Sequence, residues 1–254
     1  MDTLLECHGR MAGLLGSDAE PVEVLRRAEE HRWYWRPERV RVILLAESHV
    51  RTTPEELART IALPPSAPAD LPRGFVRLVY CLGYGEDDLL DRPLGSQSNP
   101  GTWQFWRIFY SCANLVSDNT DFAPLLKSST PRLTERVANK VALLRQFRDL
   151  GVWLLDTSPA ALYSPGGWKP PQTTRKACLQ VGWDYHVRQV IENAAPSHIV
   201  CIGRGVERAL GDRLFKVGAR VTLVPQPNAH LTSAEHHETF LEYNRVVRRA
   251  NALA

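Results

Sequence analysis

Three short polar segments in this chain each follow an apolar run, and each carries residue types that can do chemistry. Ala46-Glu47-Ser48-His49 follows Val40 to Leu45. Glu47 there suits a general base or a hydrogen-bond acceptor, or the first acid of a following helix, where the helix dipole favours it. His49 suits a proton carrier or a hydrogen-bonded structural histidine. Asp156 ends the run Val152 to Leu155 and precedes Thr157, Ser158 and Pro159, so a turn cap and a ligand contact are both open readings. The third segment is Pro225-Gln226-Pro227-Asn228-Ala229-His230. Its two prolines fix the backbone and remove two donors. Such a stiff loop can hold Gln226, Asn228 and His230 toward a pocket, and its plain alternative is a rigid turn before a helix.

Parallel strands position residues of this kind. The runs at residues 40–46, 152–155, 198–202 and 221–224 are short and rich in Val, Ile and Leu, the composition of strands buried on both faces. Helical spacing is read over residues 21–32, 101–116, 131–150 and 173–193. A helix opens at Gly203-Arg204-Gly205, and Ser233 is the expected cap of a last helix reaching about Ala250. Phe75 to Leu82 reads as a strand or a short buried helix. The four prolines within residues 63–74 mark a loop. Strands alternating with helices predict an α/β fold: a three-layer α/β/α sandwich on a short parallel central sheet. We expect a helical extension over residues 1–37 and one domain over 38–254. In such sheets ligands bind beyond the carboxyl ends of the strands, where the three segments sit.

Composition narrows the classes. The chain has 254 residues, 44% hydrophobic and 23% charged, which excludes a disordered or collagen-like protein. The net charge of +3 is small. Residues 127–190, however, hold ten Lys or Arg against four Asp or Glu. Arg132, Arg136 and Lys140 fall four apart on one predicted helix face, and Lys127, Arg145, Lys169, Arg175 and Lys176 extend the basic set. Such a stretch is either a phosphate-contacting face or a solvated helix surface. Tyr163 and Trp168 nearby could stack on a base or simply be buried. Five widely spaced cysteines form no C-x-x-C pair, so no metal site is expected. The N-terminus lacks a signal-peptide pattern and no apolar run spans a membrane, so a reducing, cytoplasmic setting is the expectation, with no membrane partner.

The order and spacing of the segments resemble the uracil-DNA glycosylase superfamily over roughly residues 38–250. Ala46-Glu47-Ser48-His49 stands where that family has Gly-Gln-Asp-Pro-Tyr-His, or Gly-Glu-Ala-Pro-Gly in some branches. Gly151-Val152-Trp153-Leu154-Leu155-Asp156 resembles Gly-Val-Leu-Leu-Leu-Asn, whose Asn reads the base. Gln226-Pro227-Asn228-Ala229-His230-Leu231 is similar to His-Pro-Ser-Pro-Leu-Ser or Asn-Pro-Ser-Gly. Phe240 and Asn244 match a Phe-x-x-x-Asn on the last helix, and Asn99-Pro100 with Phe105-Trp106-Arg107 resembles a segment of the mismatch branch. The resemblance implies excision of a flipped base from single- or double-stranded DNA by a monomer without cofactors. Glu47, Ser48, His49, Gln226 and His230 would be catalytic, Asp156 and Asn228 would hold the base, and Arg132, Arg136, Lys140, Lys169, Arg175 and Lys176 would meet phosphates.

The departures matter for the activity. Ser48 stands where the family has an Asp or Asn for the attacking water, and Ser has no carboxylate. Gln226 replaces the His that stabilises the departing base. Asp156, if ionised, offers acceptors only, and so suits a base with amino donors. Two other readings therefore stay open: a non-catalytic relative binding nucleic acid or a nucleobase-like ligand, and an esterase-like hydrolase using Glu47-Ser48-His49.

Overall fold

The computed structural model describes residues 2–92, 94, 101–227 and 229–252. In chain order it forms α1 (Asp2–Leu15), α2 (Val22–Tyr34), β1 (Val42–Ala46), α3 (Pro54–Leu57), α4 (Gly101–Ala113), α5 (Leu133–Asp149), β2 (Val152–Asp156), α6 (Gln172–Gly182), α7 (Arg188–Ala194), β3 (His198–Ile202), α8 (Arg204–Leu210), β4 (Arg220–Val224) and α9 (Ser233–Ala252). A π-helical turn, Trp183–Val187, joins α6 to α7. The protein is an α/β fold with helices packed around an all-parallel four-stranded sheet, in the order β2-β1-β3-β4.

Every residue of β1, β2 and β3 is buried, which is why those strands read as apolar runs, broken only by Asp156 at the end of β2 and His198 at the start of β3. β4 is an edge strand and leaves Arg220 and Leu223 exposed. Helices α4, α5 and α9 pack together against the sheet, while α1, α6 and α8 form a second group. A separate apolar cluster ties α1 to that second group through Leu4, Cys7, Met11, Cys178, Leu179 and Ala209. All five cysteines are buried and free.

Two local expectations change. Phe75 to Leu82 is neither strand nor helix but a buried run of turns. Its apolar side chains enter the core without a ladder, and its polar groups find partners elsewhere. The Arg77 amide donates to Thr52 Oγ1, and the Tyr80 hydroxyl accepts from the Leu154 amide. An apolar run by itself cannot reveal that difference. At α9 the cap is Thr232, one residue before Ser233. Thr232 Oγ1 accepts from the Glu235 amide while Glu235 Oε2 accepts from the Thr232 amide, a reciprocal capping box.

Candidate functional site

β1 is flanked by β2 on one side and β3 on the other, so successive connections from β1 run in opposite directions across the sheet. The crevice at such a reversal, beyond the strand ends, is where open α/β sheets bind ligands. Here it opens into a cavity of about 550 Å³. Glu47 enters from the end of β1, Arg204 and Gly205 from the end of β3, and Pro225 and Gln226 from the end of β4. Tyr163, Arg175 and Lys176 close the α6 side, with Arg208 from α8 and His230 at the mouth.

Glu47 sits at the floor of this cavity and is largely buried. Gln226 Nε2 donates to Glu47 Oε2 at 2.9 Å. The Tyr163 hydroxyl feels the Glu47 charge, and Arg175 Nη1 donates to that hydroxyl at 3.3 Å. Burial, and then the neighbouring Glu47 charge, push the Tyr163 phenol above its ordinary range, so it stays protonated as a donor. Backbone pairing sets this up. The segment after β1 runs beside the segment after β2: Ser158 N donates to Glu47 O, Arg51 N donates to Tyr163 O, and Val50 bridges Tyr163.

Gly203 makes room for Gln226. Its φ is +96°, a conformation open to glycine. A Cβ there would lie 2.4 Å from Gln226 Cγ. The glycine ending β3 is thus required by a side chain from the end of β4.

Other predicted residues serve different purposes. The Ser48 hydroxyl accepts from the Leu162 amide and donates to the His49 carbonyl, fixing the loop. His49 is buried, with Nε2 at 3.0 Å from Glu20 Oε2 and Nδ1 at 3.6 Å from Asp156 Oδ2. Burial works against its charge, yet the two carboxylates prevail and raise its pKa to about 9. Asp156 also takes Arg32 Nη2 at 2.7 Å. The expectation of an Asp156 free to read a base is therefore corrected: α2 supplies an arginine that occupies it. The loop between α1 and α2 supplies Glu20, whose carboxylate accepts from His49 and from the amides of Thr52 and Ala161. These two N-terminal residues were missed because the sequence gives a buried Glu or Arg no signature apart from an exposed one.

The predicted basic face also changes. Arg136 and Lys140 are buried on α5, and both pair with Glu86. Arg136 makes a two-pronged contact, with Nε at 2.8 Å and Nη2 at 2.6 Å. They are not open phosphate contacts, because a desolvated carboxylate needs them. Arg132, Lys169 and Lys176 remain exposed, and Arg175 is half-buried. Arg204 and Arg208, which sequence reasoning passed over, join Arg175 and Lys176 around the cavity. The signal available for them was their place directly after a strand, at Gly203-Arg204-Gly205. His230 is exposed at the mouth. Asn228, Asn99 and Pro100 lie outside the described residues.

Among the described residues no three His, Cys, Asp or Glu side chains group as a metal site, and no helix is long and apolar enough to cross a membrane. No family model matches the chain, and no curated protein matches it. Among solved structures, a point mutant of UNG from Nitratifractor salsuginis aligns over 97% of this chain and 86% of its own, at 12% identity and a TM-score of 0.38.

Proposed function

We propose that this protein binds nucleic acid at the switch-point cavity and hydrolyses the N-glycosidic bond of an extruded base. The observation that carries the reading is a single carboxylate, Glu47, oriented by Gln226 and surrounded by Arg175, Lys176, Arg204 and Arg208. Four cations around a concave site suit the phosphates beside an extruded nucleotide. A carboxylate held by the Gln226 amide suits a water that attacks the anomeric carbon. In that step Glu47 takes the proton from water, the oxygen bonds to the sugar carbon, and the carbon–nitrogen electron pair leaves with the base. His230 at the mouth is within the same cavity and can protonate the departing base. The sequence resemblance to base-excising enzymes points the same way. In this reading Asp156 and His49 hold the scaffold, through Arg32 and Glu20.

A second reading has its own support. Ser48 stands where the resembling family has its water-handling acid, and its hydroxyl is taken by the Leu162 amide. That favours a relative that binds nucleic acid without cleaving it.

One experiment separates the two. Labelled duplex and single-stranded DNA bearing uracil, hypoxanthine, xanthine or mismatches is incubated with the protein and then treated with alkali. Abasic product that vanishes in Glu47→Gln supports hydrolysis. Salt-sensitive binding without product supports the second reading. Absence of binding at low salt overturns both.

A further inference from the structure

The cavity beyond the strand ends has a size and a charge pattern that narrow its ligand. About 550 Å³ is the scale of small-molecule and cofactor sites, which enclose most of one ligand. Among the described residues, Glu47 is the one acid in its lining, against Arg175, Lys176, Arg204 and Arg208. All four cations come from two helices that pack against each other. Gln180 Nε2 of α6 donates to Ala209 O of α8 at 3.0 Å. Arg204 and Arg208 stand one turn apart on the same face of α8. The loop after β4 lines the cavity with Pro225, Gln226, Ala229, His230 and Leu231, and brings no Lys or Arg.

The same two helices reach the carboxylate. A Cβ at Gly205 would lie 3.6 Å from Glu47 Oε2, so the first turn of α8 sits against Glu47, with Arg204 as the next residue. From α6, Arg175 Nη1 donates to the Tyr163 hydroxyl, which feels the Glu47 charge. An internal nucleotide of a strand has a phosphodiester on each side of its sugar, each with a single charge, and its reader spreads cations along that path. A phosphate monoester instead gathers a charge of about −1.5 to −2 at pH 7 on one group. Four cations collected on one pair of helices beside one carboxylate match the second pattern.

We propose that the complete ligand of this cavity is one free nucleotide ending in a phosphate monoester. Arg175, Lys176, Arg204 and Arg208 hold the phosphate, and the glycosidic bond lies at Glu47. No strand on either side is needed. The binding rests on the cations; turnover rests on the hydrolysis proposed for Glu47. In that step the water oxygen bonds to the anomeric carbon and the carbon–nitrogen electron pair leaves with the base. The proton that Glu47 takes from water passes to the departing base. The products are a free base and a sugar phosphate.

The test titrates the full chain with deoxynucleoside 5′- and 3′-monophosphates of uracil, hypoxanthine, adenine, guanine, cytosine and thymine, and with the matching nucleosides. Calorimetry reads binding and chromatography reads the released base. A monophosphate is expected to bind one-to-one and about tenfold or more tighter than its nucleoside. Arg204→Ala and Arg208→Ala each weaken the monophosphate by about tenfold. Both side chains are exposed, so nucleoside binding and thermal unfolding stay close to wild type. Inorganic pyrophosphate competes, and Arg132→Ala, outside the cavity lining, changes nothing. No saturable binding by any monophosphate overturns the proposal, as does binding no tighter than the nucleoside's or indifferent to both arginine variants. Abasic product from DNA by a protein that ignores every monophosphate also overturns it, and leaves the proposed hydrolysis standing. A monophosphate bound but never split, with no abasic product from DNA, leaves the ligand in place and removes the hydrolysis.

Discussion

Gln226 and Glu47 lie 179 positions apart in sequence, and their side chains meet at 2.9 Å at the ends of β4 and β1. The contact exists because Gly203, at the end of the strand between them, has no side chain to fill the space. Three strand ends thus cooperate in fixing one carboxylate.

Gly203→Ala is expected to break that arrangement. The substitution places a Cβ 2.4 Å from Gln226 Cγ at a backbone φ of +96°, so both strain and collision act. A loss of about 1–3 kcal/mol is expected in urea unfolding. Gln226→Ala in the same background should recover part of it, because the collision is then gone. If the double variant is no more stable than Gly203→Ala alone, the collision is not the cause.

His49 gives a pH signature. Its folded pKa is raised to about 9 by Glu20 and Asp156, against an ordinary 6.5. A raised histidine stabilises the fold fully below pH 6.5, and that contribution is lost as pH climbs through 9. The urea midpoint should therefore fall between pH 6.5 and 9.5, and His49→Gln should flatten the fall. An unchanged slope in the variant would rule out His49 as its source.

Arg32 and Asp156 form a buried pair that should behave as a unit. Arg32→Met leaves the Asp156 carboxylate beside His49 without its closest partner. A loss of about 3–5 kcal/mol is expected for that single change. Arg32→Met with Asp156→Asn should lose clearly less than the sum of the two single changes, in a double-mutant cycle by chemical denaturation. Additive losses would mean the two side chains act separately. By the same logic, removing residues 1–37 deletes both Glu20 and Arg32, and is expected to unfold the rest.

The cations divide into two groups that binding can distinguish. Arg204→Ala and Arg208→Ala should each lower the salt dependence of DNA binding by about one counterion and leave stability nearly unchanged. Lys140→Ala should instead destabilise the fold and leave the salt slope alone, since its ammonium is committed to Glu86. A salt slope that falls for Lys140→Ala and holds for Arg204→Ala would invert this assignment.

Much of the fold was legible in the sequence because strands buried on both faces must be apolar throughout. Val42 to Ala46, Val152 to Leu155 and Ile199 to Ile202 announce the sheet in this way, and Glu47, Asp156 and Gly203 after these runs announce the strand ends. Phe75 to Leu82 shows the limit: burial demands apolar residues, whether or not a ladder forms. Glu47 and Gln226 could be named as chemical residues from their places in the chain.

Which charges are free and which are spent was decided only in three dimensions. Arg136 and Arg204 are the same residue type, each in the first turn of a helix, yet one is buried on Glu86 and the other lines the cavity. Asp156 reads as a ligand contact until α2 brings Arg32 to it, and His49 reads as a proton carrier until Glu20 caps it. Sequence specifies where a charge sits along the chain. Its partner, its burial and hence its chemistry depend on distant segments, 29 positions away for Glu20 and His49 and 124 for Arg32 and Asp156, and only packing brings those together.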